Sequence, residues 1–161
     1  MLDINILNKK SHVPKLVKFL VCQEAFTYEW SREDRRLLEA SLNTSLHETN
    51  HQYWYVEDGD SVIAVIGIRE NKHQNGGYEL DDDYLAVHEQ YRRHRLGSRL
   101  LNEVEKFVRD RKGRYIHILT YDTPDYAPAR FLYEKNGYRK VAEIPNYYSE
   151  GEGRIDFFKK F

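Results

Sequence analysis

The chain has 161 residues, of which 40% are hydrophobic and 32% charged, with a formal net charge of -1. That size and balance suit a single domain over residues 1–161 and exclude a disordered chain, or one held on nucleic acid by overall positive charge. Cys22 stands alone, so there is no internal disulfide and no CxxC pair, as in a reducing cytoplasm.

The N-terminus carries no charged leader before a long apolar stretch, and no run approaches the roughly 20 apolar residues that span a bilayer. A cytoplasmic protein with no membrane or nucleic-acid partner is expected. "DINIL" opens the chain as a short strand. Ser11 then caps a helix whose first turn tolerates Pro14 and whose Leu16, Phe19 and Leu20 share a face. Ser31 and Asp34 form a capping box for a second helix striped by Leu38, Leu42 and Leu46. Between the two lies "QEAFTYEW", acidic and aromatic.

"QYWYVEDGDSVIAVIGI" reads as a hairpin turned at Asp58 and Gly59, and "NGG" at 75–77 turns the chain into a further strand, "YELDDDYLAV". From Leu96 the period becomes helical, with Leu100, Leu101, Val104, Phe107 and Val108 on one face and Gly113 as the C-cap. "RYIHILTY" is a strand, "APARFLYEKNG" a short helix ended by Asn136 and Gly137, and "YRKVAEI" and "RIDFFKKF" are closing strands. This order predicts an α/β chain with a mixed sheet of about seven strands and helices on both faces.

The stretch "QYRRHRLGSRLL", residues 90–101, sets arginines at the start of a helix. The helix dipole favours acidic residues there by about 0.3–1 kcal/mol, so basic ones are misplaced unless an anion joins them. A phosphate can bind the unpaired N–H groups of such an end when the backbone comes close, which glycine allows. Only Gly97 is available, after Arg92, Arg93, His94, Arg95 and Leu96.

With the strand "LAV" before it and the helix after it, this stretch resembles the phosphate loop of the GNAT family of N-acetyltransferases. Leu85, Ala86 and Val87 match the strand end, Arg92 the leading arginine and Gly97 the final glycine. Arg95 stands where the family's first glycine is expected. The later "APARFLYEKNGYRKV", residues 127–141, is similar to the family's next helix and strand, with Tyr126 where an asparagine is common. The resemblance implies a three-layer fold around a mixed, mostly antiparallel sheet, with acetyl-coenzyme A as co-substrate and no metal. It implies coenzyme contacts from Leu85, Ala86, Val87, Arg92, Arg93, His94, Arg95, Leu96, Gly97, Ser98, Tyr126 and Arg130. Tyr133 falls on the tyrosine that protonates the departing thiolate, and Asp81 on the family's usual base, with Asp83 its neighbour.

The residues bear their own reading of this chemistry. An alkylammonium of pKa about 10.4 is only about 0.1% neutral at pH 7.4, so acetylating an amine calls for a nearby base. "DDD" offers carboxylates, though a triple Asp also keeps a strand edge soluble. Tyr133, at helical spacing from Ala129, also reads as core. His88, His94 and His117 read equally as surface residues and as catalysts. A backbone N–H near Leu85 to Val87 can polarise a thioester carbonyl if the strand is splayed from its neighbour.

The expected reaction is acetyl transfer to a primary amine of a small molecule, or of a peptide N-terminus or lysine. The aromatic and acidic segments "QEAFTYEW" and "NYYSEGEG" hint at a cationic acceptor. The alternative of another class is a coenzyme A binding module without turnover. A remote one is a zinc peptidase, from "HETNH" at 47–51, with Glu70 and His73 as further ligands. Nothing in the sequence sets the oligomeric state, and a homodimer is compatible with it.

Overall fold

The computed structural model describes residues 1–80 and 85–161. Its strands are β1 (Ile4–Ile6), β2 (His51–Asp58), β3 (Ser61–Glu70), β4 (Gly77–Leu80), β5 (Leu85–Val87), β6 (Tyr115–Tyr121), β7 (Arg139–Ser149) and β8 (Glu152–Lys160). Its helices are α1 (Val13–Leu20), α2 (Arg32–Ser45), α3 (Leu96–Asp110) and α4 (Ala127–Lys135). The sheet runs β1-β2-β3-β4-β6-β8-β7, with β5 also beside β3. Among the described residues β4–β6 is the parallel pair, and every other pairing is antiparallel.

Each face of the sheet carries a core. Leu96, Leu100, Leu101, Val104, Phe107 and Val108 of α3 and Tyr133 of α4 pack on Ile66, Ile68, Leu80, Ile116, Ile118 and Phe157. On the other face Leu16, Phe19 and Leu20 of α1 and Leu38 and Leu42 of α2 pack on Tyr53, Tyr55, Val65 and Ala86. That second core covers β2, β3 and β5. It leaves Tyr115, His117, Leu119 and Tyr121 of β6 partly exposed. β3 is central and apolar toward both layers, as its long buried run requires.

The mixed sheet and the two helical layers agree with expectation, and the differences have local causes. "YELDDDYLAV" is two strands rather than one, which raises seven strands to eight among the described residues. Arg69 of β3 faces Glu79 while Ile66 faces Leu85, so three steps along β3 match six along its partner. Leu80 and Leu85, five residues apart, both enter the α3-side core, which unbroken alternation forbids. α1 starts after a short 3-10 turn, with His12 rather than Ser11 at its cap and no side-chain cap bond.

The Ser31–Asp34 capping box is present, with Asp34 N–H donating to Ser31 Oγ at 3.0 Å. The β2–β3 turn centres on Gly59, at φ 61°, and Asp60, one step beyond the expected pair. At the end of α3 Lys112 takes the left-handed conformation expected of Gly113, φ 55°. Gly113 is small for packing, because a Cβ there would meet Val108 Cγ1 at 2.4 Å. Gly137, at φ 86°, ends α4 as expected, with Tyr138 N–H reaching back to Tyr133 O.

Candidate active site

The sheet divides where β4 gives way to β5. Among the described residues Leu80 opposite Ile118 is the last β4–β6 pair; β5 pairs with β3, while Leu119, Thr120 and Tyr121 pair with β8. The result is a fork between β5 and the end of β6. His88 N–H donates to Ile63 O at 2.8 Å, so the ladder turns His88 and Ala86 toward β3, and the N–H groups of Leu85 and Val87 toward the fork. Among the described residues that edge is unpaired, so these donors meet the condition the sequence sets for polarising a thioester carbonyl here.

Past β5 the chain makes a 3-10 turn at Glu89–Tyr91 and enters α3 through Arg92 to Arg95. Arg93 and Arg95 are left-handed, with φ of 69° and 62°. Left- and right-handed residues in succession turn their N–H groups into one concavity. The first bond of the helix is Arg99 N–H to Arg95 O. The N–H groups of Arg93 through Ser98 have no acceptor among the described residues. Among the described residues no side chain caps this end, and its first turn has no acidic residue. Arg93, His94 and Arg95 hold their side chains exposed, with no ion pair or hydrogen bond among the described residues. A concave run of free N–H groups ringed by free cations fits a pyrophosphate.

Two motif residues have structural work in this loop. Arg92 donates from Nε to Val87 O at 3.0 Å, and from Nη2 to Ala25 O at 3.2 Å and Glu24 O at 3.4 Å. Its guanidinium thus ties the end of β5 to the α1–α2 loop. A Cβ on Gly97 would lie 2.7 Å from Leu132 Cδ2 of α4. Next to it, Asn136 Nδ2 donates to Ser98 Oγ at 3.1 Å. Gly97 and Ser98 therefore seat α4 against the start of α3.

That seating places Tyr133, 3% exposed, beside Phe157 and Tyr138 at ring distances of 5.6 and 6.3 Å. Tyr126 precedes α4 and stacks on Tyr121 at 4.9 Å, which stacks in turn on Tyr148 at 4.1 Å. Arg130 donates to Tyr121 O at 2.7 Å and Thr123 O at 2.9 Å, holding the turn between β6 and α4. Asp81 and Asp83 lie outside the described residues.

The α1–α2 loop spans the fork. Glu89 N–H and Arg92 hold Glu24 on the β5 side, and Thr27 Oγ1 donates to Asp125 Oδ2 at 3.0 Å on the α4 side. "NYYSEGEG", the other aromatic segment, lies in the closing hairpin: Asn146–Ser149 extend β7 beyond Ile144, where the sequence pattern ends the strand. In "HETNH" the helix stops at Ser45, so His47 and His51 do not share a helical face. His51 opens β2, buried, with Nε2 3.4 Å from Ser41 Oγ. Burial, aided by the charge of Arg69, pushes its pKa down to about 4. His117, one of the histidines open to a catalytic role, joins Asp156 and Arg154 in a chain across β6 and β8 that the sequence pattern does not reveal, with His117 Nε2 2.8 Å from Asp156 Oδ2.

This geometry has known counterparts. Over 99% of both chains the structure is similar to a Desulfovibrio desulfuricans protein assigned to the GNAT family, with a TM-score of 0.83 at 20% identity. It is similar to the ribosomal-protein-S18-alanine N-acetyltransferase of Escherichia coli over 99% of this chain and 94% of that one, TM-score 0.77, 18% identity. It is also similar to an aminoglycoside 6'-N-acetyltransferase complexed with coenzyme A, over 98% and 96% of the two chains, TM-score 0.76, 23% identity. No helix among the described residues is long and apolar enough to cross a membrane. Residues 19–138 match the acetyltransferase (GNAT) family, and with most of its length inside that match the chain belongs to this family of acyltransferases.

Proposed function

We propose that the protein is an acetyl-coenzyme A dependent N-acetyltransferase acting on a primary amine of a small molecule. The observation that carries this is the row of N–H groups from Arg93 to Ser98, unpaired among the described residues, at the mouth of the fork. These donors, with the side chains of Arg93, His94 and Arg95, hold the pyrophosphate. The Leu85 and Val87 N–H groups line the path inward. The co-substrate supplies an acetyl group on a thioester. Tyr133, with a phenol reference pKa of about 10 against about 8.5 for a thiol, donates to the leaving sulfur. Asp81 and Asp83, on the chain between β4 and β5, are the sequence-based candidates for taking the amine's proton. The names of two structural neighbours, one for a protein alanine and one for an aminoglycoside, support an amine as acceptor.

A thermal shift tests the binding. Acetyl-coenzyme A at about 100 times its dissociation constant stabilises the fold by about 2.7 kcal/mol, and no shift at millimolar ligand sinks the reading. Thiol release from acetyl-coenzyme A across alkylamines, polyamines, aminoglycosides and peptides tests turnover. Tyr133→Phe should keep the thermal shift and lose roughly tenfold or more in turnover. Binding without thiol release from any amine identifies a non-catalytic coenzyme A module instead.

A further inference from the structure

Three polar side chains run in line on the sheet face that α1 and α2 leave open. Asp156, 7% exposed, accepts from Arg154 Nε at 2.6 Å and Nη2 at 2.8 Å, and its Oδ2 lies 2.8 Å from His117 Nε2. Burial pushes the Asp156 carboxyl up, but the bonds from Arg154 and His117 outweigh it and hold it below the ordinary carboxylate range. An ionised carboxylate only accepts. The proton between the two groups therefore sits on Nε2, and the tautomer this bond selects leaves the lone pair on Nδ1. Nδ1 has no partner among the described residues, and the side chain is 26% exposed.

Position makes this lone pair useful. His117 immediately precedes Ile118, the last β6 residue paired with β4 among the described residues, so it stands at the base of the fork. Ile116 and Ile118 point into the α3-side core, and His117 points to the open face. Among the described residues the titratable and charged groups around it are Glu79, level with it on β4, Asp156 and Arg154 on β8, and Tyr115 and Tyr121 on β6 itself.

We infer that His117 Nδ1 takes the proton of the acceptor ammonium, with Asp156 and Arg154 as positioning residues that fix the ring's tautomer and orientation. This rests on the N-acetyltransferase reading above. In the step, the ammonium gives one proton to Nδ1, and the neutral amine forms a C–N bond to the thioester carbonyl carbon. The C–S bond breaks with its electron pair on sulfur, and the second proton lost by the nitrogen ends on that sulfur. The imidazolium then releases its proton to water. The products are the amide and the free thiol.

Long-range proton–nitrogen spectra of the imidazoles in the full chain test the tautomer without any acceptor. The His117 signal, identified by its loss in His117→Gln, should show Nε2 protonated and Nδ1 bare at pH 8, a preference that Asp156→Asn removes. For rates, thiol release is followed with acetyl-coenzyme A and the panel amine that the wild type turns over fastest. His117→Gln should lose on the order of 10²-fold in kcat at pH 7.5 with unchanged KM for acetyl-coenzyme A, recovering as pH approaches the amine's own pKa. Asp156→Asn should lose less, with its pH profile displaced.

A wild-type ring protonated on Nδ1 overturns the assignment. So does a His117→Gln enzyme within threefold of wild type while Asp81→Asn or Asp83→Asn loses activity, or a loss equal at every pH. If His117→Gln does not fold, an Asp156→Asn profile superimposable on wild type overturns it. A wild type that releases thiol with no amine overturns the parent reading, and with it this one, whatever the tautomer spectrum shows.

Discussion

Arg95 stands at a left-handed φ of 62°, a conformation that costs a residue with a Cβ about 1–2 kcal/mol relative to glycine. The glycine expected there is replaced in type but not in backbone shape. The loop keeps its concavity and gains an exposed cation at its rim. Arg95→Gly relieves the strain and adds a comparable unfolded-state entropy, so unfolding in urea should change by less than about 0.5 kcal/mol. Arg95→Val, β-branched at positive φ, should cost roughly 1–2 kcal/mol. Calorimetric titration of Arg95→Gly with acetyl-coenzyme A at two salt concentrations should show binding retained with a weaker salt dependence. A loss of binding at both salts would place the affinity in the guanidinium instead of the backbone. The sequence made the basic turn visible; it could not show that arginine would adopt glycine's conformation, because φ is a property of the folded loop.

Among the elements, the least expected arrangement is the tie between the α1–α2 loop and the end of β5. Arg92 makes three bonds to carbonyls of Val87, Glu24 and Ala25, a fan that a lysine's single ammonium cannot reproduce. Arg92→Lys should leave the helices intact and speed amide hydrogen exchange through residues 21–31 by tenfold or more, read by mass spectrometry. Unchanged exchange there would mean that Thr27 with Asp125 and the buried Phe26 suffice to hold the loop. Local signals carried well from sequence to element: the Ser31–Asp34 box, the glycine turn at Gly59 and the Asn136–Gly137 stop all act within a few residues. Long-range ones did not. The division of "YELDDDYLAV" depends on register against β3, and the His117–Asp156 pair joins residues 39 apart. Neither leaves a mark in periodicity. Tyr133 was legible by position, and its burial against Phe157 comes from how Gly97 and Leu132 seat α4.

For the whole molecule, acid is the revealing variable. Burial moves the His51 imidazole from 6.5 down to about 4 in the folded chain. Between those values the unfolded chain binds a proton that the folded one refuses. Stability is therefore full above about pH 6.5 and falls as pH drops toward 4, by up to roughly 3 kcal/mol. Asp156, held below its ordinary range, adds a loss at lower pH as its carboxylate is protonated. Urea midpoints at pH 7 and pH 4.5 measure the drop, and His51→Gln should flatten most of it. An equal drop in that variant would assign the acid sensitivity elsewhere.

The fork also divides the chain itself. β1 to β5 lie before residue 88 and β6 to β8 after residue 114, and among the described residues these halves meet within the sheet only along the four residue pairs of β4 and β6. A break in the backbone at Lys112 would leave every strand pairing intact and yield two pieces that can find each other again. Fragments 1–112 and 113–161 should then associate on mixing, and a ligand gripping both arms should tighten that association. If the fork holds acetyl-coenzyme A as proposed, that cleft would then serve as the clasp of a two-piece protein.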